Sequence, residues 1–295
     1  MVIAVTGASG QLGQAIQSLS TSYPDHQFYF FTSAEVNITQ KATIEKAWTE
    51  IHPDFCINAA AYTAVDKAEI EPQAAFAVNR DGPATLATAC ATAGIPLLHL
   101  STDYVFDGSK PAPYTEDDPV APLGTYGASK LAGEDAIRAS GCVHLILRVA
   151  WVFGAHGNNF VRTMLRLGRE REQLRVVADQ LGGPTPAAAI ADALLHLAGR
   201  HLAGETLPNG TWHFAGVPHT SWHGFANAAL EAAAARGLLA RVPRIDAIAS
   251  AEYPTPARRP TNSRLDTTRA KVELGLDVPD WRAGLVSILD EWKSA

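Results

Sequence analysis

Gly7, Gly10 and Gly13 constrain this chain more than any other residues. They follow a short apolar run, Val2–Thr6, and open a stretch with helical periodicity beginning at Gln11. Five residues without polar alternation are the pattern of a strand buried on both faces. Glycine is needed between such a strand and a helix for three reasons. The turn is tight, the backbone must approach a pyrophosphate closely, and the helix must pack against the strand. Free N–H groups and the positive end of the helix dipole then face the phosphates. The glycines therefore predict a dinucleotide site, with a merely structural turn as the alternative.

The rest of the first half alternates strands and helices. The pattern predicts strands at 27–32, 54–58, 97–101 and 143–149. Helices are predicted at 39–51, with Thr39 as its cap, at 72–93, kinked or split at Gly82-Pro83, and at 127–139. Strands separated by helices pair in parallel through right-handed crossovers. The expected fold is α/β: a Rossmann-type doubly wound parallel sheet with a smaller carboxy-terminal substrate domain. Residues 1–152 form the NAD(P)-binding Rossmann domain. Residues 153–295 are mainly substrate-binding, with some segments returning to the main sheet. In this half, helices are predicted at 158–171, 186–199, 221–236 and 281–293, and a strand at 174–177.

The net charge of −6 lacks the basic field that nucleic-acid binding requires. No apolar run approaches the ~20 residues of a membrane helix. The chain opens on a strand without a signal-peptide pattern, so a cytoplasmic location is expected. Cys56, Cys90 and Cys142 show no Cys-x-x-Cys spacing and read as small buried hydrophobes. His219 and His223 are four apart but lack a third ligand, and no metal is expected.

The acid that commonly binds the ribose of NAD is not obvious. The second strand ends Phe31-Thr32-Ser33, with Glu35 beyond. Ser33 leaves room for the 2′-phosphate of NADP, yet no Lys or Arg lies between Gln14 and Gln40 to neutralise it. The cofactor is NADPH or NADH, with a lean to NADPH because a repelling carboxylate is missing.

Tyr126-Gly127-Ala128-Ser129-Lys130 carries the chemistry. Residues four apart at a helix start share a face. Lys130 can sit beside Tyr126 and the cofactor ribose, and its ammonium should pull down the pKa of the phenol. Tyr126 could then deliver a proton to a carbonyl oxygen as hydride reaches carbon. Thr102, at a strand end, can donate a hydrogen bond to that oxygen; capping a turn is its alternative role. Arg258, Arg259 and Arg264 suit a diphosphate or a solvated basic loop.

Together these residues resemble the extended short-chain dehydrogenase/reductases, and within them the dTDP-4-dehydrorhamnose reductase family. The resemblance runs along nearly the whole chain. Its motifs include Asn58-Ala59-Ala60-Ala61-Tyr62-Thr63, Ser101-Thr102-Asp103-Tyr104, Tyr126 through Lys130, Arg148-Val149-Ala150-Trp151, and Arg259-Pro260. It implies NAD(P)H-dependent reduction of the 4-keto group of dTDP-4-dehydro-6-deoxy-L-mannose to dTDP-L-rhamnose. By position it makes Tyr126 the proton donor, Lys130 the ribose ligand and Thr102 the ligand of the keto oxygen. Asp103, Trp151 and Arg259 belong to the substrate side. Gly7, Gly10, Gln11, Leu12, Gly13, Ser33, Asn37, Ile38, Ala61, Tyr62 and Thr63 belong to the cofactor side. Some members form metal-bridged dimers through a Glu in the first helix. Here Gln14-Ala15 stands there, so a homodimer is compatible with the resemblance but no metal is carried over. A nucleotide-sugar epimerase or dehydratase, and a non-catalytic NADP-binding regulatory subunit, are the alternatives.

Overall fold

The computed structural model describes residues 1–294. Its elements run β1 (Val2–Thr6), α1 (Gln11–Ser20), β2 (Gln27–Phe31), α2 (Lys41–Ile51), β3 (Phe55–Asn58), α3 (Val65–Ala68), α4 (Pro72–Phe76), α5 (Gly82–Ala93), β4 (Leu97–Thr102), α6 (Thr125–Ala139) and β5 (His144–Val149). There follow β6 (Val152–Phe153), α7 (Phe160–Glu170), β7 (Gln173–Val177), β8 (Leu181–Gly182), β9 (Thr185–Pro186), α8 (Ala187–Leu202), β10 (Gly210–His213), β11 (Thr220–Ser221), α9 (Trp222–Ala235), β12 (Arg244–Ile248), α10 (Thr268–Leu274) and α11 (Trp281–Ser294).

Six parallel strands form the main sheet in the order β10-β5-β4-β3-β1-β2. The order reverses between β1 and β3, and at such a point the crevice beyond the strand ends is open to a ligand. Strand β1 shows why the sheet is a middle layer. Ile3 and Val5 face a core shared with Ile16 of α1 and Ile190 and Leu194 of α8. Ala4, between them, faces the opposite core with Ile44 and Trp48 of α2, Leu86 of α5 and Ile137 of α6. A strand covered on both faces has no polar positions to alternate. A separate core of Phe153, Leu165, Phe225, Leu230, Trp281 and Leu285 joins α7, α9 and α11, while α8, β10 and α10 pack into the first core. The three cysteines are free and buried.

Several local expectations are corrected. Thr39 does not cap α2; its hydroxyl donates to Asn37 Oδ1 at 2.9 Å, and the helix starts two residues later from Gln40. The stretch 72–93 is split rather than kinked, with Gly82-Pro83 opening the second helix. Pro83 cannot donate an N–H, and the chain relaxes through a π turn, Ala77–Asp81, before α5. Helix α6 starts at Thr125, which brings Tyr126 inside its first turn. Strand β10 was not foreseen; it pairs with β5 at the sheet edge.

Under the sheet end, Glu134 of α6 is fully buried. It accepts from Arg148 Nε at 2.9 Å and Nη2 at 2.7 Å, from Arg138 at 2.6 Å and from Ser101 Oγ at 2.5 Å. Burial alone would raise its pKa, but Arg148, Ser101 and Arg138 outweigh burial and hold it below the usual carboxylate range. Removing one partner of such a pair leaves an uncompensated charge. Arg148→Met is therefore expected to cost about 3 kcal/mol, read as a lowered urea midpoint with an unchanged slope.

Candidate active site

The first glycine loop is built as the sequence requires. Gly7 has φ +77°, and a Cβ there would collide with the backbone of Ala59 and Ala60. A Cβ on Gly13 would collide with Gly7 O and Ala8. Gly10 is different: a Cβ there meets only Gly7 O, at 3.3 Å. Helix α1 has no side-chain cap on its first N–H groups. Donors without acceptors beside an open glycine fit a diphosphate. The residues present therefore suit the dinucleotide that the motif implies.

A cleft of about 490 Å3 opens at the carboxyl ends of β1, β3, β4 and β5. Gly10, Gln11, Leu12, Ala61, Thr63, Thr102, Asp103, Tyr126, Lys130 and Trp151 all line it. The structure thus gathers in one cavity ten residues drawn from five separate motifs. Ser33, Asn37, Ile38, Tyr62 and Arg259 are not on its wall. Ser33 is exposed beyond β2, while Ile38 is buried beneath it. Tyr62 acts through its backbone: its N–H donates to Asn79 Oδ1 at 2.9 Å, and its carbonyl accepts from Asn79 Nδ2 at 3.0 Å. Asn79 also donates to Ser129 Oγ at 3.0 Å, and Ser129 donates to the Tyr126 carbonyl at 2.8 Å. The π turn therefore fastens the 61–63 wall to the helix that carries Tyr126.

Arg259 forks the carboxylate of Asp66, at 2.7 and 3.1 Å, and also donates to Thr255 and Ala257. Its guanidinium clasps the carboxy-terminal segment to α3. Arg264 donates to Asn262 Oδ1 and the Pro111 carbonyl. Arg258 is exposed and borders a recess with Glu69, Tyr104 and Tyr126.

Lys130 is 2% exposed, and its Nζ donates to the Leu100 carbonyl at 2.6 Å. Burial pushes Lys130 down to about 8, against the pull of Glu134. Tyr126 departs from expectation. Burial raises the phenol to about 12, the Thr102 hydroxyl lowers it and Asp103 raises it. The expected downward pull by the ammonium does not govern, because desolvation of the phenolate is the larger effect. Tyr126 is consequently protonated at neutral pH, the form a proton donor requires. Asp103 is 3% exposed and raised to about 7 by burial, against the lowering pull of the Ser263 and Thr102 hydroxyls. Its Oδ1 accepts from Thr102 Oγ1 at 3.0 Å, and its Oδ2 has no partner.

Four residues take parts that the sequence reading did not give them. Glu35 folds back so that one carboxylate oxygen accepts from Thr32 N and Oγ1, each at 2.8 Å. A carboxylate therefore does stand near the end of β2, which corrects the reading that none is there. Glu69 caps α6 from outside, accepting from Thr125 N at 2.7 Å and Thr125 Oγ1 at 3.1 Å. Trp222 stacks on Trp151 with ring centroids 3.6 Å apart. Trp151 holds φ +48°, unusual for a bulky residue, and Gly182 packs directly on its indole. His99, fully buried, lies beneath Lys130. Only spatial proximity reveals these parts.

A doubly wound sheet, a glycine loop and a Tyr-Lys pair at the strand ends define a nicotinamide-dependent short-chain dehydrogenase/reductase of the extended type. Residues 1–294 match the family described as RmlD substrate binding domain, and the chain belongs to that family. A dTDP-4-dehydrorhamnose reductase of Aggregatibacter actinomycetemcomitans is 43% identical over 284 residues, covering 96% of this chain and 97% of the relative. The crystal structure of a Clostridium acetobutylicum dTDP-4-dehydrorhamnose reductase superposes with TM-score 0.91 at 34% identity, covering 99% of this chain and 100% of the other. That of the Bacillus anthracis enzyme in complex with NADP gives 0.90 at 34% identity, covering 98% and 99%. Among the described residues no helix is long and apolar enough to cross a membrane.

The low folded-state pKa of Lys130 has a measurable consequence. Between about 8 and 10.5 the unfolded chain keeps a proton that the folded chain has released. The unfolded state binds more protons there, so this residue makes stability rise with pH across that window. Urea unfolding from about pH 7 to 10 should show Lys130→Met losing its stability relative to wild type as pH increases.

Proposed function

We propose that Tyr126 is the proton donor, and Thr102 the oxyanion ligand, in reduction of the 4-keto group of dTDP-4-dehydro-6-deoxy-L-mannose to dTDP-L-rhamnose. The observation that carries this reading is the meeting of Tyr126, Thr102, Asp103 and Lys130 with the open Gly10 loop around one cleft. NADPH or NADH, when bound, supplies the hydride. Gly10, Gln11 and Leu12 hold its diphosphate end, and Ala61 and Thr63 form the wall along it. Lys130 faces its ribose.

Thr102 ends β4, where its hydroxyl donates to Asp103 Oδ1 and pulls the Tyr126 pKa down against burial. Turned away from Asp103, its single O–H can donate to the keto oxygen as negative charge grows there. Tyr126, held in its neutral form by burial, then gives that oxygen its proton. Asp103 offers an unpartnered Oδ2 in a nearly dry setting, suited to a sugar hydroxyl. Residues 153–295 supply the opposite side: Asn158, Asn159, Phe160 and Trp222 complete the cleft. Gln11 joins the two sides, donating to the Asn158 carbonyl and accepting from Asn159, both at 3.2 Å. Trp151 and Trp222 form an apolar wall suited to a deoxysugar methyl. Arg259 acts on the substrate side by holding the 255–260 segment in place.

The direct test couples dTDP-glucose, a dehydratase and an epimerase to this protein and follows NADPH loss. No consumption of NADPH or NADH would overturn the reading. Tyr126→Phe should lower kcat at least ~100-fold while NADP+ binding persists, and Thr102→Val should lower it by a comparable factor. Glu35→Gln should raise the affinity for NADP+ relative to NAD+ several-fold, measured by calorimetric titration, because a repelling carboxylate is removed.

A further inference from the structure

Lys130 rests on a buried polar chain that the proposed mechanism does not use. Its Nζ is 3.4 Å from His99 Nε2. His99 Nδ1 is in turn 2.9 Å from Asn58 Nδ2. Asn58 Oδ1 accepts from the Ala60 N–H at 3.0 Å and from Thr6 Oγ1 at 2.8 Å. Asn58 and Thr6 end β3 and β1, so the chain crosses directly beneath the cleft.

Hydrogen-bond bookkeeping fixes every proton along this chain. The Ala60 N–H can only donate, so the atom it meets must be the oxygen of Asn58. The amide nitrogen of Asn58 therefore faces His99, and it can only donate. His99 Nδ1 must accept. Burial keeps the imidazole neutral, with its pKa well below the ordinary range, and Lys130 and His144 push the same way. A neutral imidazole carries one N–H, so the proton is on Nε2. That N–H points at the Lys130 ammonium, which is itself only a donor.

We infer that His99, fixed by Asn58 as its Nε2–H tautomer, is a positioning residue that weakens the hold of Lys130 on its proton. An ammonium facing an N–H has one site without an acceptor. A neutral amine there has a lone pair that can accept the Nε2–H. The other groups around Lys130 are few: Tyr126 and Glu134 on its own helix, and the Leu100 carbonyl on β4. Glu134 pulls the other way, favouring the ammonium, but its carboxylate is engaged by Arg148, Arg138 and Ser101. His144 on β5 acts on His99. The consequence for function rests on the reductase reading. A lysine able to release a proton near neutral pH can restore the proton of Tyr126 after each turnover, and water then reprotonates the amine.

Two measurements on the cofactor-free protein test this separately from activity. Long-range proton–nitrogen NMR reports the tautomer of His99. The expected result is a protonated Nε2 and an unprotonated Nδ1; the opposite tautomer overturns the inference. Titration of the lysine Cε resonances, with Lys130 assigned through Lys130→Arg, reports when Lys130 loses its proton. His99→Leu removes the opposing N–H and should raise that point by at least about half a pH unit. An unmoved or lowered point overturns the inference even if the tautomer is as expected. Should His99→Leu not fold, the wild-type tautomer still decides. Loss of reductase activity in the wild type would sink the functional reading alone, leaving both NMR results to stand or fall independently.

Discussion

The hydrogen bond from Lys130 Nζ to the Leu100 carbonyl is the contact on which the rest of the site depends. It joins the helix that carries Tyr126 to the strand that ends in Thr102, with Asp103 next in the chain. An ammonium stem crossing a buried interface fixes both the rotation and the height of α6 over β4. One turn further along the helix, Glu134 repeats the attachment through Ser101 and Arg148. Near its start, Glu69 and the Asn79–Ser129 pair hold the first turn. Tyr126 is therefore placed by four polar attachments on one helix, two of which reach β4.

Burial sets the protonation states that this arrangement uses. The same desolvation raises Tyr126 and Asp103 and lowers Lys130 and His99, because the charged form is disfavoured in every case. The phenol is kept as an acid and the lysine is left close to release of its proton. Glu134 escapes this rule only because two guanidinium groups and a hydroxyl meet it.

The second half completes the cleft without forming the chemistry. Helices α7, α9 and α11 have a core of their own, yet Gln11 reaches across to Asn158 and Asn159, and Arg259 reaches back to Asp66. Both clasps lie at the rim.

The sequence by itself determined the glycine loop, the parallel sheet and the Tyr126–Lys130 pair. Each depends on local periodicity, steric demand at glycine or spacing along one helix, all of which are written in consecutive residues. The short strands β6, β8, β9 and β10 were not legible, because two to four residues carry no period and pair only once distant segments meet. The same holds for Thr39, which reads as a helix cap until Asn37 claims its hydroxyl. The pKa of Tyr126 was misjudged from sequence because the lysine four residues away is visible there and the dryness of the cleft is not. Only the tertiary structure decided that Arg259 is spent on Asp66, that Glu35 returns to the end of β2, and that His99 sits under Lys130. Charge and hydrogen-bond pairing are set by distances in space, and those distances exist only after the chain has folded.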